Sequence, residues 1–204
     1  MDKTKQTFNL DQTSYYLAEF TDLDLSGHDL SGFEFEACTF VDGNFSAATL
    51  RNFRFIECSF SGCNFNNSKL PSSRLRDAVF ERCKMMEINW TLLEWSRLMT
   101  TAELTLRECV LCDGVFFGLR LDEIIMQSCK AHRVDLREAS LRNADLTFTD
   151  FTEAKFGRSN LTNADFSEAT AFDIDVLNNE MKGSKFSRFE AARLLFGLDI
   201  EVVD

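Results

Sequence analysis

A five-residue period runs through most of the chain and leaves few folds open to it. The period is plainest from Val134 to Ala169. There Val134-Asp135-Leu136, Ala139-Ser140-Leu141, Ala144-Asp145-Leu146, Thr149-Asp150-Phe151, Ala154-Lys155-Phe156, Ser159-Asn160-Leu161 and Ala164-Asp165-Phe166 follow one another at fixed spacing. Each unit carries a small residue, usually a polar one, a Leu or Phe, and two more polar residues. An amphipathic helix repeats near 3.6 residues and a strand near 2, so five suits neither. A fixed short period marks a repeat architecture whose units bury their apolar side chains only by stacking on neighbours. At steps of five, all seventeen positions from Leu106 to Phe186 are apolar. In a register displaced by one residue, so are all sixteen from Phe20 to Trp95, where a 45% apolar composition would place about seven by chance.

The residues two before these sites form a second, smaller column. It holds Ala18, Ala48, Ala78, Ala139, Ala144, Ala154, Ala164 and Ala169, four serines (Ser68, Ser73, Ser159, Ser184) and six of the seven cysteines. One large and one small inward column describe a narrow interior. Four five-residue sides close a square turn of about twenty residues, with turns about 4.8 Å apart like strands in a sheet. The expectation is an all-β quadrilateral β-helix of about eight coils. Residues 1–19 form an N-terminal cap, 20–95 a first repeat block, 96–105 a register slip or kink, 106–186 a second block, and 187–204 a terminal helix and strand.

Finer expectations follow from the columns. Phe20, Phe40, Phe60 and Phe80 should form an internal ladder, and Phe33 and Phe53, large residues in the small column, should distort the coil locally. His28 should point inward with a hydrogen bond. Cys38, Cys58, Cys63, Cys83, Cys109 and Cys129 read as packing residues, since buried free Cys behaves as a small hydrophobe. Cys112, at an outward position, reads as a surface thiol, and Phe117, Phe148 and Phe172 also fall outward. Ser187 can cap a helix over 187–197 with Glu190 three residues on and Gly197 at its end; an alternating strand follows over 198–204. The apolar face of that helix needs cover, predicting both a plug for the last coil and pairing with a second copy. Phe189, Ala192, Leu195, Phe196, Leu198, Ile200 and Val202 are the candidate dimer contacts.

Formal net charge is −11, and residues 1–50 hold nine acids against two lysines. That balance argues against direct binding of nucleic acid, which needs Lys and Arg to neutralise phosphates, and favours a basic partner surface. Stacked outward acids are the candidate contacts: Asp22 with Asp42, Asp145 with Asp165, and Glu153 with Asp173. No apolar run approaches a membrane span, and the first residues lack the apolar core of a signal peptide, so a cytoplasmic protein is expected. His28 and His132 are predicted about five coils apart, which leaves no Ser-His-Asp or Cys-His pair. No Gly-rich phosphate loop and no paired C-x-x-C zinc spacing occurs. The reading is a binding protein without catalytic, cofactor or metal site, rather than an enzyme.

The repeat pattern resembles the pentapeptide-repeat family, whose fold is a right-handed quadrilateral β-helix. The ending at 186–204 is similar to the C-terminal dimerisation module of the topoisomerase-protecting members, the Qnr and MfpA type, and closest to the albicidin-resistance members. The likeness rests also on Cys83-Lys84-Met85, Asn89-Trp90-Thr91, Trp95, Ser187, Glu190-Ala191-Ala192 and Leu198-Asp199-Ile200-Glu201. It implies an acidic, rod-shaped homodimer that mimics duplex DNA, binds DNA gyrase, with topoisomerase IV as a second candidate target, and relieves the enzyme of a poison. Some relatives carry projecting loops tied to quinolone protection. The unbroken register from Phe20 to Trp95 leaves no room for one there, which favours an albicidin-like or peptide poison. The alternative is a structural scaffold with no topoisomerase role; a third reading, capture of a drug, needs a pocket that the sequence does not show.

Overall fold

The computed structural model describes residues 4–95 and 101–198. Within them the backbone winds as a parallel β-solenoid. On its longest side, face 1, Thr4–Lys5, Ala18–Thr21, Thr39–Val41, Ser59–Ser61, Ala78–Glu81, Leu104–Arg107 and Ile125–Gln127 form one seven-stranded sheet. Phe20 pairs with Phe40, Phe40 with Phe60 and Phe60 with Phe80, always twenty residues on. The same spacing continues from Leu106 to Met126 and from Phe166 to Phe186. Following the chain round each coil, faces 2, 3 and 4 carry the inward residues Phe45, Leu50 and Phe55 and their equivalents. From Phe20 to Phe186 the rod completes eight turns, with strands in the second half reduced to single bridges such as Val110 with Lys130 and Arg120 with Ser140.

One turn is longer. Phe80 pairs directly with Leu106, twenty-six residues away instead of twenty. Six extra residues are one unit plus one, which is why a reading in fives sees a slip of a single residue between Trp95 and Leu106. The slip therefore marks an insertion on face 4. Residues 96–100 of it lie outside the described residues, as do 199–204, which hold most of the expected terminal strand. Ahead of the insertion Trp90–Leu92 forms a 3-10 turn, with the Asn89 side chain accepting from the Thr91 amide. The register from Phe20 to Trp95 is unbroken, as the period predicts.

The corners are made by left-handed residues. Among the described residues twenty-five non-glycine positions have positive φ, and all but Ala171 sit two positions after the central inward residue of a unit. Asp22, Asp42, Gly62 and Arg82 occupy one such corner through four successive coils. Between corners, each backbone polar group is satisfied by the next coil. Asn44 donates its N–H to Leu23 O and accepts from Leu25 N, both at 2.8 Å.

Inside, the phenylalanine ladder is as expected. Ring centroids are 5.2 Å apart for Phe20–Phe40, 4.8 Å for Phe40–Phe60 and 4.5 Å for Phe60–Phe80. Phe33 and Phe53 stack on each other at 5.3 Å and, with Phe8 above them, make a short ladder of their own. The strands Glu34–Glu36 and Arg54–Ile56 stay paired beside them, so two large residues in successive rungs fit where one alone would not. In the small column, hydroxyls and thiols donate back to the preceding coil. Ser73 Oγ reaches Leu50 O at 2.8 Å, Thr149 Oγ1 reaches Met126 O at 2.7 Å, and Cys58 Sγ reaches Phe35 O at 3.3 Å. Ala, Ser, Thr and Cys share that column because they fit it, and three of the four can also bond there.

Four positions depart from the column reading. His28 is exposed, with Nδ1 3.1 Å from Ser26 O, because no coil precedes it on face 3. Cys112 is buried, its thiol directed at Lys130 O. Phe172 is fully buried against Phe186 while Ala171 takes a left-handed φ of 55°; the corner comes early, and a phenyl ring fills the axis where alanine could not. At the end, Ser187 and Glu190 do not cap a helix. Ser187 Oγ accepts from the Glu168 amide at 2.7 Å, and Glu190 Oε2 accepts from the Ala171 amide at 3.1 Å. Those amides belong to a coil with no regular successor. The segment Glu190–Leu198 is a 3-10 helix, and Leu194 packs against the core. Among the described residues no helix is long and apolar enough to cross a membrane.

Phe60→Ala should lower stability by about 3–5 kcal/mol, the range for removing a fully buried aromatic ring, and chemical denaturation will measure it. Phe148, exposed at a corner with φ 59°, tests the corners. Phe148→Asn should raise the melting temperature, since Asn tolerates the left-handed region, and Phe148→Val should lower it.

Candidate partner-binding surface

Since the second, fourth and fifth residues of each unit face out, stacking brings side chains twenty apart into columns. Asp22 and Asp42 share the corner between faces 1 and 2, in successive coils, and both are exposed. Asp145 and Asp165 are bridge partners on face 1. Glu153 sits at the corner between faces 2 and 3, one coil from Asp173 in the register set by Asp150 with Thr170, and the early corner at Ala171 leaves Asp173 just past the turn. Each pair is thus assembled, but the three pairs do not meet. Five coils, about 24 Å at strand spacing, separate Asp42 from Asp145.

Half of these carboxylates are engaged within the rod. Asp145 Oδ1 accepts from the Thr147 amide and hydroxyl, at 3.1 and 2.6 Å. Lys185 stands 3.0 Å from Asp165, and Arg193 stands 2.9 Å from Asp173. Among the described residues Asp22, Asp42 and Glu153 have no ion pair. The same habit runs along the middle of the rod. Arg133 grips Asp113 with two bonds of 2.7 Å, Arg74 reaches Glu94 at 2.8 Å, and Arg158 pairs with Glu138.

The charge is consequently placed at the two ends. Residues 18–37, the first coil, hold six acids and no Lys or Arg. Residues 164–183, the last full coil, hold five acids against Lys182 alone. Between them residues 38–163 balance sixteen acids with sixteen bases. The middle of the rod therefore carries no net formal charge.

Two hollows break the surface, where the sequence shows none. One of about 260 Å³ lies beside the insertion on face 4, between Arg74, Arg76, Arg120, Trp95 and Glu103. Burial, with Asp77 nearby, raises the Glu103 carboxyl. The other, about 650 Å³, opens at the N-terminal end between residues 5–10 and the first coil. Stacking also sets Cys112 one coil from His132. They do not form a dyad: the thiol faces Lys130 O, and the imidazole Nε2 lies 2.7 Å from Asp150 Oδ2. Among the described residues no cluster of three or more His, Cys, Asp or Glu is placed to hold a metal.

Two family models match the chain, one describing a pentapeptide repeat region over residues 38–101 and one describing pentapeptide repeats in eight copies over 127–169. Together with the solenoid they decide the family. The chain is a pentapeptide-repeat protein. The repeat fold is similar to that of a trypsin-treated variant of QnrB1, a plasmid-mediated fluoroquinolone resistance protein, with TM-score 0.63 at 20% identity over 94% of this chain and 92% of that one. Full-length QnrB1 gives TM-score 0.57 at 16% identity over 89% and 100% of the two chains. HetL, a pentapeptide-repeat protein involved in heterocyst differentiation regulation from the cyanobacterium Nostoc, gives TM-score 0.41 at 20% identity over 84% of each. No curated protein matches the sequence.

As a pentapeptide-repeat protein the chain carries its proposed dimer contacts at the last coil. Phe189 is 90% exposed and Leu177 79%. Ala192 is exposed, while Leu195 and Leu198 are half-buried. Phe196 is described in its backbone alone, and Ile200 and Val202 lie outside the described residues.

Two measurements follow from the pairing of charges and the packing of thiols. Hydrogen bonds from Arg133 hold the Asp113 carboxyl below the usual range, and those from Arg137 do the same for Asp135. For Asp165, burial works the other way and is outweighed by Ser167 and Lys185. A carboxylate with a depressed folded-state pKa stabilises fully above its unfolded value of about 4 and loses that contribution as pH falls through the lower folded value. The melting temperature should therefore drop as pH goes below about 4, and Asp113→Asn should flatten part of that drop. The Cys83 thiol is pushed up by its neighbours Cys109 and Cys63 and by burial. All seven cysteines are buried, so a thiol reagent should label native protein slowly and reach them all only after unfolding.

Proposed function

We propose that this protein is a resistance or immunity factor that binds DNA gyrase, and topoisomerase IV as the related enzyme, by mimicking DNA. In the cytoplasm it would shield the enzyme from a poison of the albicidin type. The observation that carries this reading is the placement of charge on a rigid rod: acid at both ends and balance between. Eight turns give about 38 Å of stacked coil. Two rods joined at their C-terminal ends, through Phe189, Ala192, Leu195 and their neighbours, would present acid at the two tips and at the junction. That pattern suits a long basic saddle contacted at its centre and its rims. QnrB1, whose coils this chain parallels over nearly its whole length, is a fluoroquinolone resistance protein, which supports a role in drug resistance for a rod of this build. Electrostatic complementarity of this kind sets encounter rate and salt sensitivity more than final affinity.

A gyrase supercoiling assay tests the proposal, with purified protein titrated against albicidin and a fluoroquinolone at two salt concentrations. The expected outcome is restored supercoiling under albicidin, weakening as salt rises. Asp22→Asn with Asp42→Asn should raise the protein concentration needed by roughly two- to fivefold per charge. Absence of both rescue and inhibition, even at high protein concentration, would replace this reading with the scaffold one.

A further inference from the structure

The N-terminal end of the rod is an unfinished coil. Thr4–Lys5 pairs with Ala18 and Glu19 on face 1, and Gln6 N bonds Glu19 O at 2.9 Å. The chain then leaves the lattice. Phe8 turns over the axis onto Tyr15, Phe20 and Phe33, and Tyr15 Oη ties down Asn9 through its amide and carbonyl. Among the described residues no strand pairs above face 2 of the first coil. In every later coil the residue at the Asp24 position bonds the coil before: Asn44 to Leu23 and Leu25, Asn64 to Gly43 and Phe45. Among the described residues Asp24 has no such partner for its N–H or its C=O. The C-terminal end is treated differently, since Ser187 and Glu190 occupy the amides of Glu168 and Ala171.

The open edge forms one wall of the 650 Å³ hollow, whose floor is Phe20, Leu23 and Leu25 and whose far wall is Thr7, Phe8 and Leu10. Asp22 and Asp24 line it, with Lys5 and His28, and Glu19 and Asp29 belong to the same first coil, which holds no Lys or Arg. Arg51 from the next coil reaches Asp29 at 3.1 Å, while Asp22 and Asp24 have no ion pair among the described residues. We infer that this end is a docking site for an extended, basic segment of a protein partner, which adds as a strand above Leu23–Ser26.

The lattice dictates how it would bind. One inward-facing apolar residue of the segment donates its N–H to Asp24 O, and Asp24 N–H donates to the carbonyl two residues earlier, repeating the Asn44 pattern. Two alternate apolar side chains enter the hollow over Leu25 and Phe20, and the residues between them, facing out, meet Asp22 and Asp24 and should be Lys or Arg. Main-chain bonds supply affinity and the alternate side chains supply selectivity, as in other strand additions. The site shares Asp22 with the proposed gyrase contacts, but it needs no topoisomerase and survives if that reading fails.

The test uses the full-length protein and a fluorescent peptide, acetyl-Lys-Val-Lys-Val-Lys-Val-Lys-amide, read by anisotropy. Three controls separate the causes. The same peptide N-methylated at its valines keeps its charge but cannot pair, and should bind about tenfold more weakly. Asp24→Pro removes the edge N–H, which holds no bond in the free protein, and should weaken binding by a similar factor while circular dichroism stays unchanged. Asp24→Asn keeps the edge and should weaken binding mainly at low salt. Hydrogen exchange at the Asp24 amide should slow when the parent peptide is added. Equal affinity for the N-methylated peptide, with no change in exchange at Asp24, would reduce the site to a diffuse acidic surface and overturn the inference. So would sedimentation showing that the rod self-associates through this end and that Asp24→Pro abolishes the association.

Discussion

Everything in this molecule depends on the hydrogen-bonded ladder between one coil and the next. The backbone of a residue such as Asn44 bonds the coil before it, donating to Leu23 O and accepting from Leu25 N, so a coil without a neighbour leaves these groups unsatisfied. Stacking supplies those bonds, but only if each turn returns in phase, and with four five-residue sides that requires the same sharp corner every five residues. The corner places its residue in the left-handed region, which costs an L-residue roughly 1–2 kcal/mol. Among the described residues the chain accepts that cost at twenty-five non-glycine positions, none of them Val, Ile or Thr. Branching at Cβ is where the penalty is steepest, so the described corners are filled by Gly, Asp, Asn, Glu, Ser, Ala and Arg, with Leu17 and Phe148 the large apolar exceptions. The rings stacked inside at 4.4–5.3 Å, Phe45–Phe65 the closest, offset the strain by burying nearly all of their surface.

The two inward columns are legible in the sequence because burial on a narrow axis admits almost no exception. Each site must be apolar, and the site two before must be small. The same rule locates the longer coil, though only modulo five: an insertion of six is seen as a slip of one. Where the reading departs from the structure, a neighbour is missing or a local packing need prevails. His28 occupies an inward position of a coil with no predecessor, so nothing encloses it. Phe172 turns in because Ala171 cannot fill the axis at that level. Cys112 sits at an outward position and is nevertheless covered, a consequence of side chains leaning along the column that spacing alone does not encode. Ser187 and Glu190 have the spacing of a capping box, but the unsatisfied amides of the last coil compete for the same oxygens and win.

The acidic contacts show the same limit in a different form. Charge can be counted from the sequence, and pairs twenty apart can be foreseen as stacked. Which carboxylates remain free cannot be foreseen, because that depends on an Arg or Lys arriving one coil away. Asp165 and Asp173 are met in this way, by Lys185 and Arg193, whereas Asp22 and Asp42 are not.

A rod built by nearest-neighbour stacking is quasi-one-dimensional, and that places its reactivity at its ends. In the middle each coil has a partner above and below. Backbone groups are bonded on both sides, and an outward acid can meet a base on either neighbour, as Asp113 meets Arg133. At an end one neighbour is gone. The backbone edge there must be closed by side chains, by another chain or by water, and a charge has half as many chances of compensation. The first coil adds six acids and no base to that deficit. Its unbonded edge and its uncompensated charge therefore have one origin, the absence of a preceding coil, and a partner that supplied a basic strand would remove both at once.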